Sequence, residues 1–152
     1  SYIRYTFNII NNIGKPMSEF KDLTDFEITD RLARILLRGQ IITFKPKVED
    51  SLDKLLGVNQ NHLDIVTQSG RNQRIDFCHS WSDTGPLISK FQITLLNISD
   101  NDYEVSYDFY GDEKTDGTDE LLTHAIDVHK RGLLRAVAIC CIMKLEAKHG
   151  KA

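Results

Sequence analysis

The chain reads as an α+β domain, a mostly antiparallel sheet with two main helices packed on one of its faces. Three observations predict it. A capped amphipathic helix spans about 25 to 38, two runs at 91–98 and 103–110 read as strands joined by a short turn, and an apolar segment from about Leu133 to Ala147 repeats at helical spacing. Two helices and six strands, mostly hairpin-connected, fit that layer arrangement.

Residues 1 to 16 alternate well enough for a short strand at Tyr5, Phe7 and Ile9, then end in Gly-Lys-Pro. Met17 follows like a translation start, so 1–16 reads as an N-terminal extension, native or added, and 17–152 as a single domain. An extension this rich in isoleucine and aromatics can pair with a sheet edge.

The first helix begins with a capping box, Thr24 to Glu27, in which each side chain bonds the other residue's free backbone N–H. Ile28, Leu32, Ile35 and Leu36 fall on one face, Arg34 and Arg38 suit the negative end of the helix dipole, and Gly39 is placed as the C-terminal cap. The helix is expected to pack on the sheet.

Ile41 to Phe44 reads as a short strand stopped by Lys45-Pro46, and residues 48 to 57 allow a helical turn or two before Gly57. Leu63 to Thr67 and Ile75 to Cys78, joined across Gln68–Asn72, read as a hairpin. After a Thr84-Gly85-Pro86 turn, Leu87 and Ile88 make one helical turn. In the 103–110 strand Val105, Tyr107 and Phe109 share a face by alternation.

Gly111 to Glu120 is an acidic, turn-rich loop; its aspartates miss the spacing of a calcium loop, so it reads as solvated. Leu121 to Val128 is read as a shorter helix, separated by Lys130-Arg-Gly132 from the last one. That last helix is apolar and rich in small residues (Ala136, Ala138, Cys140, Cys141), and is expected to be buried against the sheet or at a dimer contact.

Composition narrows the function classes. With 152 residues, 41% of them hydrophobic, the chain can bury a core as one domain. No run approaches the roughly 18 apolar residues of a membrane span, and no secretory signal is recognised. A net charge of −3 argues against a dominant grip on nucleic acid. Three cysteines, two of them adjacent, make no disulfide framework and suit a cytoplasmic protein with reduced thiols.

The chemistry concentrates in Asp76-Phe-Cys-His-Ser-Trp-Ser-Asp-Thr-Gly-Pro-Leu-Ile, which holds the one tryptophan. This stretch, that around Thr24-Asp-Phe-Glu-Ile-Thr, and Gly132-Leu-Leu-Arg-Ala-Val together resemble the NinX-like family of small phage accessory proteins. That family shows a Ser-Asp-Phe-Glu-Ile start, a middle Asp-Tyr-Cys-Asn-Asn-Pro-Ser-Asp-Ala-Trp-Pro-Ile-Ile and a late Asn-Pro-Leu-Arg-Ala-Ala. Asp76, Cys78, Ser82, Asp83, Pro86, Ile88, Leu134, Arg135 and Ala136 match, whereas His79, Ser80, Trp81 and Gly85 depart. The resemblance implies a phage or prophage product in a bacterial cytoplasm, with no assigned activity.

The residues support a binding module for a small polar, nucleotide-like ligand. Trp81 offers a stacking face, Asp76 and Asp83 accept hydrogen bonds, His79 stands beside them, Gly85 permits close approach, and Arg135 at the start of the last helix can fork a phosphate. In a phage protein this fits sequestration of a host defence signal. The alternative is an inhibitor or adaptor on a host protein, through the acidic loop and Tyr103, Tyr107 or Tyr110. An enzyme is disfavoured: adjacent Cys78 and His79 point to opposite sides of a strand, and Cys78, His79, His124 and His129 lack zinc spacing. No cofactor or metal is expected. A homo-oligomer is, on the strength of the apolar last helix and the strand-like extension.

Overall fold

The computed structural model describes residues 2–6, 19–47, 55–56, 60–110 and 121–149. The order is β1 (Tyr2–Thr6), α1 (Asp25–Leu36), β2 (Ile42–Phe44), β3 (Leu63–Thr67), β4 (Asn72–Ile75), α2 (Trp81–Lys90), β5 (Thr94–Ser99), β6 (Asp102–Tyr110), β7 (Leu121–His129), a 3-10 turn (Lys130–Gly132) and α3 (Leu133–His149). The fold is α+β. The expected helical turns at 48–57 (apart from 55–56), the strand positions Phe7 and Ile9, and the acidic loop 111–120 lie outside the described residues.

Two sheets form. The larger runs β1-β7-β6-β5, and the smaller β2-β3-β4. All pairings are antiparallel except β1 with β7, so the N-terminal segment does add a strand to a sheet edge, in parallel. The segment expected to be a short helix, Leu121 to Val128, is instead β7, paired residue for residue with β6 from Tyr110↔Leu121 to Asp102↔His129. Ladder hydrogen bonds to neighbours on both sides outweigh the helical spacing of its apolar residues.

Val105, Tyr107 and Phe109 share one face of the large sheet with their partners Ile126 and His124, and α3 packs on that face. The Cys140 thiol points at the Val105 carbonyl. The opposite side of α3 carries α1 and α2. Sheet, α3, and the α1–α2 pair are therefore three layers, with α1 chiefly on α3 and also touching β3 of the smaller sheet. A helix covered from both sides must be apolar all round. Leu133, Leu134, every residue from Ala136 to Met143, and Leu145 are buried accordingly. The burial of α3 is thus satisfied within one chain, which removes the ground on which a dimer contact was expected there.

Side-chain staples tie the layers. Arg31 of α1 bonds Glu146 of α3 at 2.7 Å, and Lys144 of α3 donates to the Phe91 carbonyl beyond α2. The capping box of α1 forms as read, with Glu27 N to Thr24 Oγ1 at 3.1 Å and Thr24 N to Glu27 Oε1 at 3.0 Å. The C-cap is Leu37, and Gly39 supplies its left-handed backbone (φ +85°) two residues later.

Candidate functional site

Between β4 and α2 the chain makes one compact turn, built from local polar bonds. Asp76 Oδ1 accepts from the backbone N–H groups of Cys78 and His79, and the Ser80 N–H returns to the Asp76 carbonyl at 3.0 Å. Ser80 then caps α2 by accepting from the Asp83 N–H, while Asp83 Oδ2 accepts from the Asp76 N–H at 2.9 Å. These reciprocal bonds carry the helix straight through Thr84-Gly85-Pro86, which was expected to be a turn. The Ser80-x-x-Asp83 pattern was itself a helix-start signal.

The turn is pinned from beneath by two fully buried threonines. Thr29 of α1 accepts from the Phe77 N–H at 3.2 Å, and Thr84 of α2 donates to the Phe77 carbonyl at 2.6 Å. Both backbone polar groups of Phe77 are thereby satisfied, one from each helix, as burial requires.

Charged groups continue the lock. The two ring nitrogens of His79 lie 3.1 Å from Asp76 Oδ1 and 3.1 Å from Asp25 Oδ2. Asp25, at the first position of α1, also receives Arg135 Nη1 at 2.6 Å. The other guanidinium nitrogen donates to the Phe20 and Leu23 carbonyls at 2.9 and 2.7 Å. A chain Arg135–Asp25–His79–Asp76 therefore crosses from α3 through α1 to the turn. Asp25 is the member that sequence reasoning missed. It stood beside the capping box, and no local spacing marks a bond across 110 positions.

The expected site residues thus fall into two groups. Asp76, Asp83, His79 and Arg135 are brought together, by bonds to one another, to Asp25 and to backbone. Arg135 reaches toward the start of α1 and not toward Trp81. Trp81, at the first turn of α2, is 55% exposed. Gly85 has no atom within 4 Å of where a Cβ would sit, so no close approach requires glycine there. A cleft of about 610 Å³ is lined by Gly39–Ile42 and Thr67–Ser69, none of them expected site residues.

Cys78 and His79 part company as expected, but in a turn rather than a strand: Cys78 is buried and His79 exposed. Burial and the neighbouring Asp25 push the Cys78 thiol up to about 12, far from a ready thiolate. His129 caps the 3-10 turn by accepting from the Arg131 N–H. His124 stacks edge-on against Phe109 and meets the Tyr107 hydroxyl at 3.0 Å. Tyr107, expected on an exposed face, is buried there, because its alternation partners Val105 and Phe109 lie under α3. Among the described residues no group of three or more His, Cys, Asp or Glu side chains is arranged to hold a metal ion, and no helix is long and apolar enough to cross a membrane.

No family model, curated protein or solved structure matches the chain.

Proposed function

We propose that this chain is a non-enzymatic binding protein that holds a partner protein against the outer face of α2, with Trp81 as anchor. The observation that carries this reading is the composition of that face. Trp81, Ser82, Pro86 and Ser89 are all exposed at helical spacing, with half-buried Gly85 among them, and the one charge of α2 before Lys90, Asp83, is half-buried and bonded to the Asp76 N–H. A solvated helix face ordinarily carries charges. An exposed tryptophan on an uncharged face is the composition of an interface centre. The polar groups around it are spent on internal bonds, so the turn serves to hold α2 in place. The resemblance to NinX-like proteins supports a phage accessory role, in which the partner is a bacterial host factor in the cytoplasm.

The second reading is a small nucleotide-like ligand. It is favoured by the ring of His79, exposed two residues from the indole. Its phosphate fork is lacking, since Arg135 already serves Asp25 and two carbonyls.

One paired experiment separates the readings. A photo-crosslinking residue at Ser89 is exposed to host lysate with and without Trp81→Ala, and Trp81 fluorescence is titrated with a panel of nucleotides and cyclic nucleotides. The partner reading expects one discrete adduct that Trp81→Ala removes, and no nucleotide response. A saturable fluorescence change abolished by His79→Ala would replace it with the ligand reading. Silence in both arms removes both.

A further inference from the structure

The large sheet ends on β5, and this edge is open. From Thr94 to Ser99 only Leu95 is even half-buried, and among the described residues no strand pairs with its outer side. Leu96 is 48% and Ile98 50% exposed. The strand, Thr-Leu-Leu-Asn-Ile-Ser, contains no charge and no proline. Natural edge strands are usually blunted by such residues, because their unpaired N–H and C=O groups are a template for another strand. The one irregularity, a register shift between Asn97 and Ser99, sits at the end of the strand. Thr94 to Asn97 remain in straight register with Ser106 to Tyr103.

We propose that β5 is a homodimer interface: two copies of this chain pair antiparallel through their β5 edges, joining two four-stranded sheets into one. Three features favour a second copy over a foreign strand. An isologous contact needs only a self-compatible surface, and an uncharged strand meets its own copy without like-charge repulsion. About a dyad at Leu96, inside the regular part of the strand, Leu96 faces its own copy, so the two exposed leucines cover each other as a cross-strand pair. The flanks also match: antiparallel pairing brings the end that follows Lys90 in one copy beside the Asp100–Asp102 end of the other. This interface lies on a different element from Trp81 and leaves the outer face of α2 free, so either proposal can fail without the other.

The test is the oligomeric state of the full chain by sedimentation velocity, from low micromolar to the highest attainable concentration, for wild type, Leu96→Lys and Ile41→Lys. Leu96→Lys sets a charge opposite itself and is expected to weaken the dimer about ten-fold or more. Ile41 is 70% exposed on another part of the surface, so its variant controls for general solubility and should dimerise as wild type does. A second variant checks the register directly. Cys78, Cys140 and Cys141 are all buried, so Leu96→Cys introduces the one accessible thiol among the described residues. Residues directly opposed in an antiparallel pair have Cα atoms about 4.5–5.5 Å apart, inside the Cα range of a disulfide, so mild oxidation should give a covalent dimer. A wild type that stays monomeric at every concentration overturns the proposal. So does a dimer that Leu96→Lys leaves intact and Leu96→Cys fails to cross-link.

Discussion

Asp25 and Arg135 meet at 2.6 Å across 110 positions of chain, and this contact joins the start of α1 to the start of α3. Both side chains are about a quarter exposed, so the pair is partly shielded from water. The guanidinium does more than neutralise a carboxylate. Its Nη2 also donates to the Phe20 and Leu23 carbonyls, the former shared with the Leu23 N–H at 3.2 Å.

Arg135→Ala should therefore cost about 2–3 kcal/mol, because it takes a charged donor away from a half-buried carboxylate and from two carbonyls. Arg135→Lys should recover only part of that, since an ammonium lacks the planar fork that reaches three acceptors. Urea denaturation of both variants measures the difference. Equal stability of Arg135→Ala and wild type would show that the network is incidental.

Thr29→Val keeps shape and removes one hydroxyl. It strands the Phe77 N–H in a buried position, at a cost of about 1–3 kcal/mol. Hydrogen exchange at Phe77 should quicken selectively, reporting that the turn has lost its anchor on α1.

Gly85→Ala is expected to stabilise the protein by about 0.5–1 kcal/mol, because a mid-helix glycine costs backbone entropy and this one faces open space. A rise in melting temperature agrees with the open space described here. A fall in melting temperature would show that Gly85 is needed where it stands.

Burial pulls the His124 imidazole down to about 4 from its ordinary 6.5. The folded state then binds fewer protons than the unfolded chain as acid is added. Stability should be fully present above pH 6.5 and decline from there toward pH 4, by at most about 3 kcal/mol and less once solvent screening is allowed for. His124→Phe, which keeps a ring against Phe109, should flatten that part of the pH–stability profile. An unchanged slope would assign the acid sensitivity to other groups.

All three thiols should resist a disulfide reagent at pH 8 until the protein unfolds. Burial lifts Cys78 and Cys141 to about 12 and Cys140 well above its ordinary value. Fast labelling of the native protein would contradict the packing of α3.

Local chemistry was enough to determine the α+β class, the Thr24–Glu27 capping box, the β5–β6 hairpin and the last helix, and to mark a hairpin after β3, although its second strand is Asn72–Ile75 and not the expected Ile75–Cys78. Each is specified by neighbours within a few positions, through caps, turns and alternation. The nature of β7 was decided only by the fold. Leu121 to Val128 satisfies a helical period as well as a strand, and the presence of β6 and β1 on either side settles it. The same holds for the site. Asp76, His79, Asp83 and Arg135 were legible as a polar constellation, but a side chain's spacing does not say whether its hydrogen bonds turn outward or inward. Asp76 and Asp83 turn inward onto the backbone of their own turn, while Asp25 takes up His79 and Arg135, and only the packing of α1 on α3 brings Arg135 within its reach. What the sequence alone determined was the elements and the residues that carry charge; the tertiary structure decided which charges are spent, because a hydrogen bond across a hundred residues exists only once the layers close.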